Sequence, residues 1–148
     1  MTNRVVVGVD GSDAATNAVR WLATHTTPDS EVIAVHVLSI GRELANDLPP
    51  TGLTNWRRLL KSELRGRWTA PLREAGTPVY AVVHESSSIS DGLYEVAERH
   101  DAEMIVLGSN GDGGLVHRTL GAVTYQVVHR AHRPVVIIPS DWKTGSTE

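Results

Sequence analysis

Five short runs of apolar, mostly β-branched residues recur along the chain, and they constrain its fold more than any other feature. Each run is continuously apolar rather than alternating, so both faces of the strand it forms have to be buried, as in parallel sheets covered by helices. Val and Ile dominate the runs, which favours strands over buried helices. The runs occupy residues 4–9, 32–38, 79–83, 104–107 and 135–138.

Four stretches with apolar residues at helical spacing lie between these runs, at residues 13–25, 54–74, 89–100 and 118–131. Ser12 or Asp13 is the expected N-cap of the first helix. Strands that alternate with helices predict an α/β fold, a doubly wound five-stranded parallel sheet with helices on both faces.

The second helical stretch carries an apolar stripe, which we expect to face the core rather than to stack nucleic-acid bases, because basic residues do not interleave with it. Gly66 and Pro71 predict a kink or an early end near residue 70. The stripe consists of Trp56, Leu59, Leu60, Leu64 and Trp68.

The composition predicts one globular domain over residues 1–140 with a polar C-terminal tail at 141–148. The net charge of −3 in 148 residues argues against nucleic acid as a partner. The absence of cysteine excludes disulfides, thiolate zinc sites and thiol catalysis.

No stretch has the pattern of a signal peptide or a membrane span, so we expect a soluble cytoplasmic protein without a membrane partner.

A glycine-rich loop follows the fourth apolar run, where residues 108–114 hold four glycines among seven residues. Successive backbone amides in such a loop, together with the N-terminus of the next helix, form a site for an anion, and phosphate is the expected ligand. A turn without a ligand is the alternative interpretation. A P-loop is excluded, because Gly114 and Leu115 stand where that motif has Lys and Ser or Thr.

The glycines Gly108, Gly111 and Gly121 follow the spacing G-x2-G-x9-G. Together with Val-Gly-Val-Asp-Gly-Ser at 7–12 and His-Arg-Pro-Val-Val-Ile-Ile-Pro at 132–139, this spacing resembles the universal stress protein family, over about residues 4–139. The resemblance implies strand order 3-2-1-4-5, a fold like that of the adenine nucleotide alpha hydrolases, and a dimer.

The resemblance also implies an adenine nucleotide as ligand, with ATP as the first candidate and Mg²⁺ as an optional companion. Residues after the first strand would meet the nucleotide, backbone near the end of the second would read the adenine edge, and the glycine loop and the last helix would hold ribose and phosphates. By position these residues are Gly8, Val9, Asp10, Val37, Gly108, Ser109, Gly111, Gly121, Ala122 and Val123.

The sequence departs from the family pattern at three places. Ala122 stands where the family prefers Ser or Thr, so a hydroxyl donor to phosphate is missing unless Thr124 compensates for it. Asp112 stands where Arg is common, although Arg118 could offset its charge. The serines at 86–88 replace Gly-x-Pro, which we expect to alter a helix cap rather than a ligand contact.

Asp10 has two interpretations. It either accepts a hydrogen bond from ribose or holds a divalent cation, or it caps the turn into the first helix. Among the histidines, His36 is interpreted as a core or edge residue, and His84 as one that could face the ligand crevice. His129 and His132 have the spacing of two metal ligands but no evident third, so no metal site is predicted.

The sequence therefore favours an adenine-nucleotide-binding regulatory module in the stress response, with little or no hydrolysis because no strong general base is evident. A family member without nucleotide, acting by protein contact, is the alternative. A phospho-receiver domain is less favoured, since residues 83–85 lack the aspartate that takes the phosphoryl group. Edge exposure of the last strand predicts a homodimer through Val135–Ile138.

Overall fold

The computed structural model of the chain describes residues 3–39, 50–109 and 121–143. Its strands and helices alternate as the apolar pattern predicts. The strands are β1 (Asn3–Gly8), β2 (Ser30–Leu38), β3 (Val79–Glu85), β4 (Met104–Gly108) and β5 (Val135–Ile138). The helices are α1 (Asp13–His25), α2 (Pro50–Arg65), α3 (Ala70–Glu74), α4 (Ile89–Arg99) and α5 (Ala122–Arg130), with a 3-10 turn at Arg67–Thr69.

The five strands form one parallel sheet in the order β3-β2-β1-β4-β5. The predicted doubly wound sheet and its order 3-2-1-4-5 are therefore confirmed. The order also separates the chain from receiver domains, whose sheets follow 2-1-3-4-5 and place the third strand beside the first. Here β3 lies at the edge, and it ends in His84 and Glu85.

Side chains alternate across β1, so that the sheet has a core on each face. Val5 and Val7 pack with Leu22 of α1 on one face. Val6 packs with Leu93 of α4 on the other. Burial on both faces explains why the runs are continuously apolar.

Serine side chains cap two of the helices. The Ser12 hydroxyl accepts a hydrogen bond of 3.2 Å from the Ala15 amide and begins α1. The Ser88 hydroxyl accepts one of 3.1 Å from the Asp91 amide and begins α4. Both expected caps are present, and each contributes about 1 kcal/mol to helix stability.

The second helical stretch agrees with its prediction in part. The expected break near residue 70 is present, because α2 ends at Arg65 and a 3-10 turn at Arg67–Thr69 precedes α3. Trp56 and Leu59 are 43% and 63% exposed, so the predicted core-facing stripe is wrong over its first half. Leu64 is fully buried. Helical periodicity identifies one apolar face, but only the last turn of α2 packs against the core.

In residues 3–39, 50–109 and 121–143, no helix combines the length and the apolar character that crossing a membrane requires.

Candidate functional site

A cavity opens at the carboxyl ends of β1, β2 and β4. The chain leaves β1 and β4 in opposite directions, and ligands of open α/β sheets bind at such a reversal of strand order. The residues that line it come from three strands, three helices and the turn after β1. They are Gly8, Val9, Asp10, Ala15, Val35, His36, Val37, Ile89, Leu93, Leu107, Gly108, Val123 and Thr124.

Six of the predicted site residues meet in this lining. They are Gly8, Val9, Asp10, Val37, Gly108 and Val123. Three others, Ser109, Gly121 and Ala122, lie next to Gly108 or Val123 in sequence but do not line the cavity. Gly111 lies outside the described residues, as do Asp112 and Arg118.

The inner walls of the cavity are apolar. Val35, Leu93 and Leu107 are almost completely buried, and Ile89 at the mouth is 40% exposed. The cavity volume is about 110 Å³. An apolar cavity of roughly 150 Å³ takes up a benzene molecule, so this one has the size and the lining to receive part of a flat aromatic ring system.

Within the described residues, the backbone amide of Val37 lacks the hydrogen bond to β1 that strand register predicts. The Val9 amide donates to the Val35 carbonyl at 2.8 Å, and the regular ladder would next join the Val37 amide to the Val9 carbonyl. That bond is not formed in the described part of the chain. The Val9 carbonyl instead accepts a hydrogen bond of 2.8 Å from Nδ1 of His36.

Since the amide and carbonyl of one strand residue point to the same side, both polar groups of Val37 face the space beyond the end of β1. A donor and an acceptor thus stand side by side at an apolar cavity. His36, interpreted from the sequence as a core or edge residue, lines this cavity and was missed as a site residue. Its position opposite Val9 follows from strand register, which the sequence does not display.

Asp10 caps the turn into α1, as one of its two interpretations predicts, and it also lines the cavity. Its Oδ1 accepts a hydrogen bond of 2.9 Å from the Ser12 amide, which fixes the turn before α1. The same residue lines the cavity. A carboxylate can accept several hydrogen bonds, so its role in the turn leaves room for a ligand contact.

The next residue, Gly11, has a positive φ of +82°, and a Cβ there would lie 2.9 Å from Cζ2 of Trp68.

Gly108 ends β4 in close contact with α1. A Cβ at Gly108 would lie 2.5 Å from the carbonyl carbon of Ala14. Its carbonyl oxygen accepts a hydrogen bond of 2.9 Å from the buried hydroxyl of Thr124. A hydroxyl has one hydrogen to donate, so Thr124 does not supply the donor that Ala122 lacks.

Ser109 joins β4, β5 and the start of α5. Its amide donates to the Ile138 carbonyl at 2.9 Å, and its carbonyl accepts from the Gly121 amide at 2.8 Å. Its buried Oγ has no hydrogen-bond partner among the described residues. A buried hydroxyl without a partner is costly, and a ligand or water beside the α5 N-terminus would satisfy it.

His84 does not line the cavity. Its Nε2 lies 2.7 Å from Oε2 of Glu95, whose Oε1 accepts from the Ser86 hydroxyl at 2.7 Å. These hydrogen bonds lower the pKa of Glu95 below its ordinary value, and the bond with His84 contributes most.

The His129 ring stacks on the Tyr125 ring, with 5.9 Å between the ring centroids. Across the described ranges, no three His, Cys, Asp or Glu side chains converge as metal ligands would.

Comparison with known proteins agrees with the fold and the motif. The model of the universal stress protein family matches residues 1–139. The chain therefore belongs to the universal stress protein family.

Two relatives illustrate the extent of the similarity. Universal stress protein Rv2623 of Mycobacterium tuberculosis is 32% identical over 146 residues, and the match covers 90% of this chain and 46% of Rv2623. This chain thus spans about half the length of that relative. Universal stress protein MJ0531 of Methanocaldococcus jannaschii is 28% identical, with 91% and 81% of the two chains covered.

Solved structures share the architecture. A universal stress protein in complex with cAMP superposes with a TM-score of 0.71 at 23% identity, covering 93% of this chain and 97% of that one. The universal stress protein of Archaeoglobus fulgidus in complex with dAMP has a TM-score of 0.65 at 22% identity, covering 93% and 99%. At these identities the likeness concerns the fold.

Proposed function

We propose that this chain is a regulatory module that binds an adenine nucleotide, with ATP as the first candidate. The observation that carries the proposal is the open amide and carbonyl of Val37 beside an apolar cavity at the strand-order reversal. The nucleotides held by the two solved relatives, cAMP and dAMP, support the same ligand class.

The Val37 pair suits adenine better than guanine. Adenine presents an acceptor nitrogen next to its N6 amino donor, which complement an amide and a carbonyl. Guanine carries the acceptor O6 where adenine carries the N6 donor. A guanine nucleotide would set O6 against the Val37 carbonyl and leave two acceptors facing each other, so we expect adenine to be preferred.

The phosphates would lie against the start of α5. The amides of the first residues of a helix have no partners within the helix and carry partial positive charge, so they favour anions. These amides belong to Ala122 and Val123, since the Gly121 amide already donates to the Ser109 carbonyl. The buried Ser109 hydroxyl, which has no partner among the described residues, is a further donor. The Ser or Thr hydroxyl that the family prefers at this position is missing at Ala122, and we expect its loss to weaken phosphate binding several-fold.

The described lining of the cavity offers one carboxylate, Asp10, to a divalent cation. Mg²⁺ commonly binds through one or two carboxylates together with substrate phosphates and water. Asp10 is the carboxylate among the described residues of the lining. We therefore assign Asp10 either to Mg²⁺ beside the phosphates or to the ribose hydroxyls.

Little or no hydrolysis is expected. Asp10 and His36 are the titratable residues of the described lining, and both are engaged with backbone, at the Ser12 amide and the Val9 carbonyl respectively. These two bonds go to backbone groups and do not join the two residues into a paired acid and base for an attacking water. The module would therefore act by holding the nucleotide rather than by consuming it.

Calorimetric titration with ATP and GTP tests the proposal, after mass spectrometry of small molecules released from the purified protein. Ile89→Trp fills the cavity mouth at a half-exposed position, and it should abolish ATP binding. Leu59→Trp is the matched control, an exposed helix position outside the cavity, and it should bind as the wild type does. Equal ATP affinity in both variants would refute the site.

A role by protein contact alone is the second candidate. It is favoured by one observation, the commitment of the Thr124 hydroxyl to Gly108, which leaves the donor missing at Ala122 without replacement. Failure of the wild-type chain to bind any adenine nucleotide at millimolar concentration would favour this candidate.

The partner surface in either case would be the edge strand β5. Its even-numbered residues bond to β4, as the Ile105 and Ser109 amides show by donating to the carbonyls of Pro134 and Ile138. The amides of Val135 and Ile137 therefore point away from the sheet. Pairing of two such edges would give a homodimer.

A further inference from the structure

We propose that His36 is a positioning residue whose bond to the Val9 carbonyl keeps the Val37 amide open for the base. The inference rests on the proposed nucleotide function, because it concerns the same cavity. It adds a residue whose side chain acts through the backbone of its neighbours rather than by forming a bond to the nucleotide.

The argument begins with strand register. Gly8 pairs with Val35, so Val9 would pair with His36 one step further along the two strands. In a parallel ladder, Val9 would then donate to Val35 and accept from Val37. The first bond is present at 2.8 Å.

The second bond is replaced. The His36 side chain bonds to the Val9 carbonyl at 2.8 Å. A carbonyl oxygen can only accept, so Nδ1 of His36 carries a hydrogen. The Val9 carbonyl is thus directed to the imidazole rather than to the Val37 amide, and the ladder stops one bond early.

The imidazole ring is held in place by aromatic packing. The His36 ring lies 5.7 Å from the Trp68 ring between centroids, tilted by 42°. Trp68 in turn packs on Gly11, where a side chain would collide with it. Trp68 thus supports the ring, which favours a fixed orientation over a mobile one.

Removal of the imidazole should let the ladder close. The Val9 carbonyl would then be available to the Val37 amide, and a base would find an acceptor at Val37 without its donor. The loss of one hydrogen bond to the base corresponds to roughly a fivefold to tenfold fall in affinity. Discrimination between ATP and GTP should also shrink, because the base edge would be read by one group instead of two.

Amide hydrogen exchange of the nucleotide-free protein, followed by NMR, tests the positioning role without any ligand. In the wild type we expect the Val37 amide to exchange fast and the Val35 amide, inside the ladder, to exchange slowly. In His36→Leu the Val37 amide should become protected. His36→Asn, whose side-chain amide places a donor near the position of Nδ1, should restore fast exchange.

Titration of the same three proteins with ATP supplies the second measurement. His36→Asn should bind within about twofold of the wild type, and His36→Leu should bind roughly fivefold to tenfold more weakly. A merely structural role would weaken both variants together and leave Val37 exchange unchanged, and this result would overturn the inference.

Wild-type data remain decisive if His36→Leu does not fold. Slow exchange of Val37, or an Nδ1 of His36 without hydrogen in ¹⁵N NMR, overturns the inference. Fast exchange of Val37 in a protein that binds no adenine nucleotide supports the role of His36 at the strand end and refutes the proposed function. The two failures are therefore distinguishable.

Discussion

The hydroxyl of Thr124 donates a 2.9 Å hydrogen bond to the carbonyl oxygen of Gly108, and this bond joins the first turn of α5 to the end of β4. Both residues line the cavity. The bond fixes the direction of the α5 N-terminus relative to the sheet, which is the direction in which its amides would meet phosphate. The bond holds α5 against β4, and the Thr124 hydroxyl therefore does not donate to a ligand.

Replacement of Thr124 by Val should destabilise the protein by about 1–3 kcal/mol. The variant keeps the shape of the side chain but leaves the Gly108 carbonyl without this buried partner. Urea denaturation measures the change, and Thr124→Ser, which retains the hydroxyl, is the control. A Val variant as stable as the wild type would show that the bond contributes nothing.

The variant Ala122→Ser should bind ATP several-fold more tightly than the wild type. Ala122 is exposed at the first position of α5, so a hydroxyl there has room to donate to phosphate. Adenosine is the control ligand, since it has no phosphate and should bind both proteins equally. Unchanged ATP affinity would place the phosphates elsewhere.

The pKa of Glu95 should rise toward its ordinary value of about 4.5 in His84→Ala. In the folded protein the hydrogen bonds from His84 and then Ser86 lower it, so the pair stabilises the fold above about pH 4.5 and loses that effect as the pH falls through the folded pKa. The Glu95 carboxyl carbon reports the titration by NMR. An identical titration curve in both proteins would contradict this assignment.

The variant Ile137→Pro should convert a dimer to a monomer without loss of the fold. The Ile137 amide points away from β4, so proline there removes a donor at the edge and spares the ladder. Val136→Pro, on the ladder side, should instead destabilise the chain. Sedimentation analysis gives the mass, and a dimer that persists in Ile137→Pro would exclude pairing through β5.

Much of the architecture follows from the sequence. Continuous Val and Ile runs identify parallel strands, and the pair Ser12 or Asp13 identifies the start of α1, because both signals are local; the structure selects Ser12 as the cap. The placement of Val37 came from the family resemblance, and the cavity brings it together with Asp10 and Gly108.

Other features depend on tertiary contacts that local patterns do not encode. The role of His36 requires the register of two strands that lie 27 residues apart. The exposure of Trp56 and Leu59 depends on how much of α2 the core reaches. The bond between Thr124 and Gly108 depends on the approach of α5 to β4.

A crystal structure of the protein grown with millimolar ATP and Mg²⁺ tests the central claim most directly. The account predicts adenine in the cavity with its edge on the Val37 amide and carbonyl, and phosphates at the amides of Ala122 and Val123. A cavity without nucleotide at that concentration, or a nucleotide bound at another surface, would contradict the account.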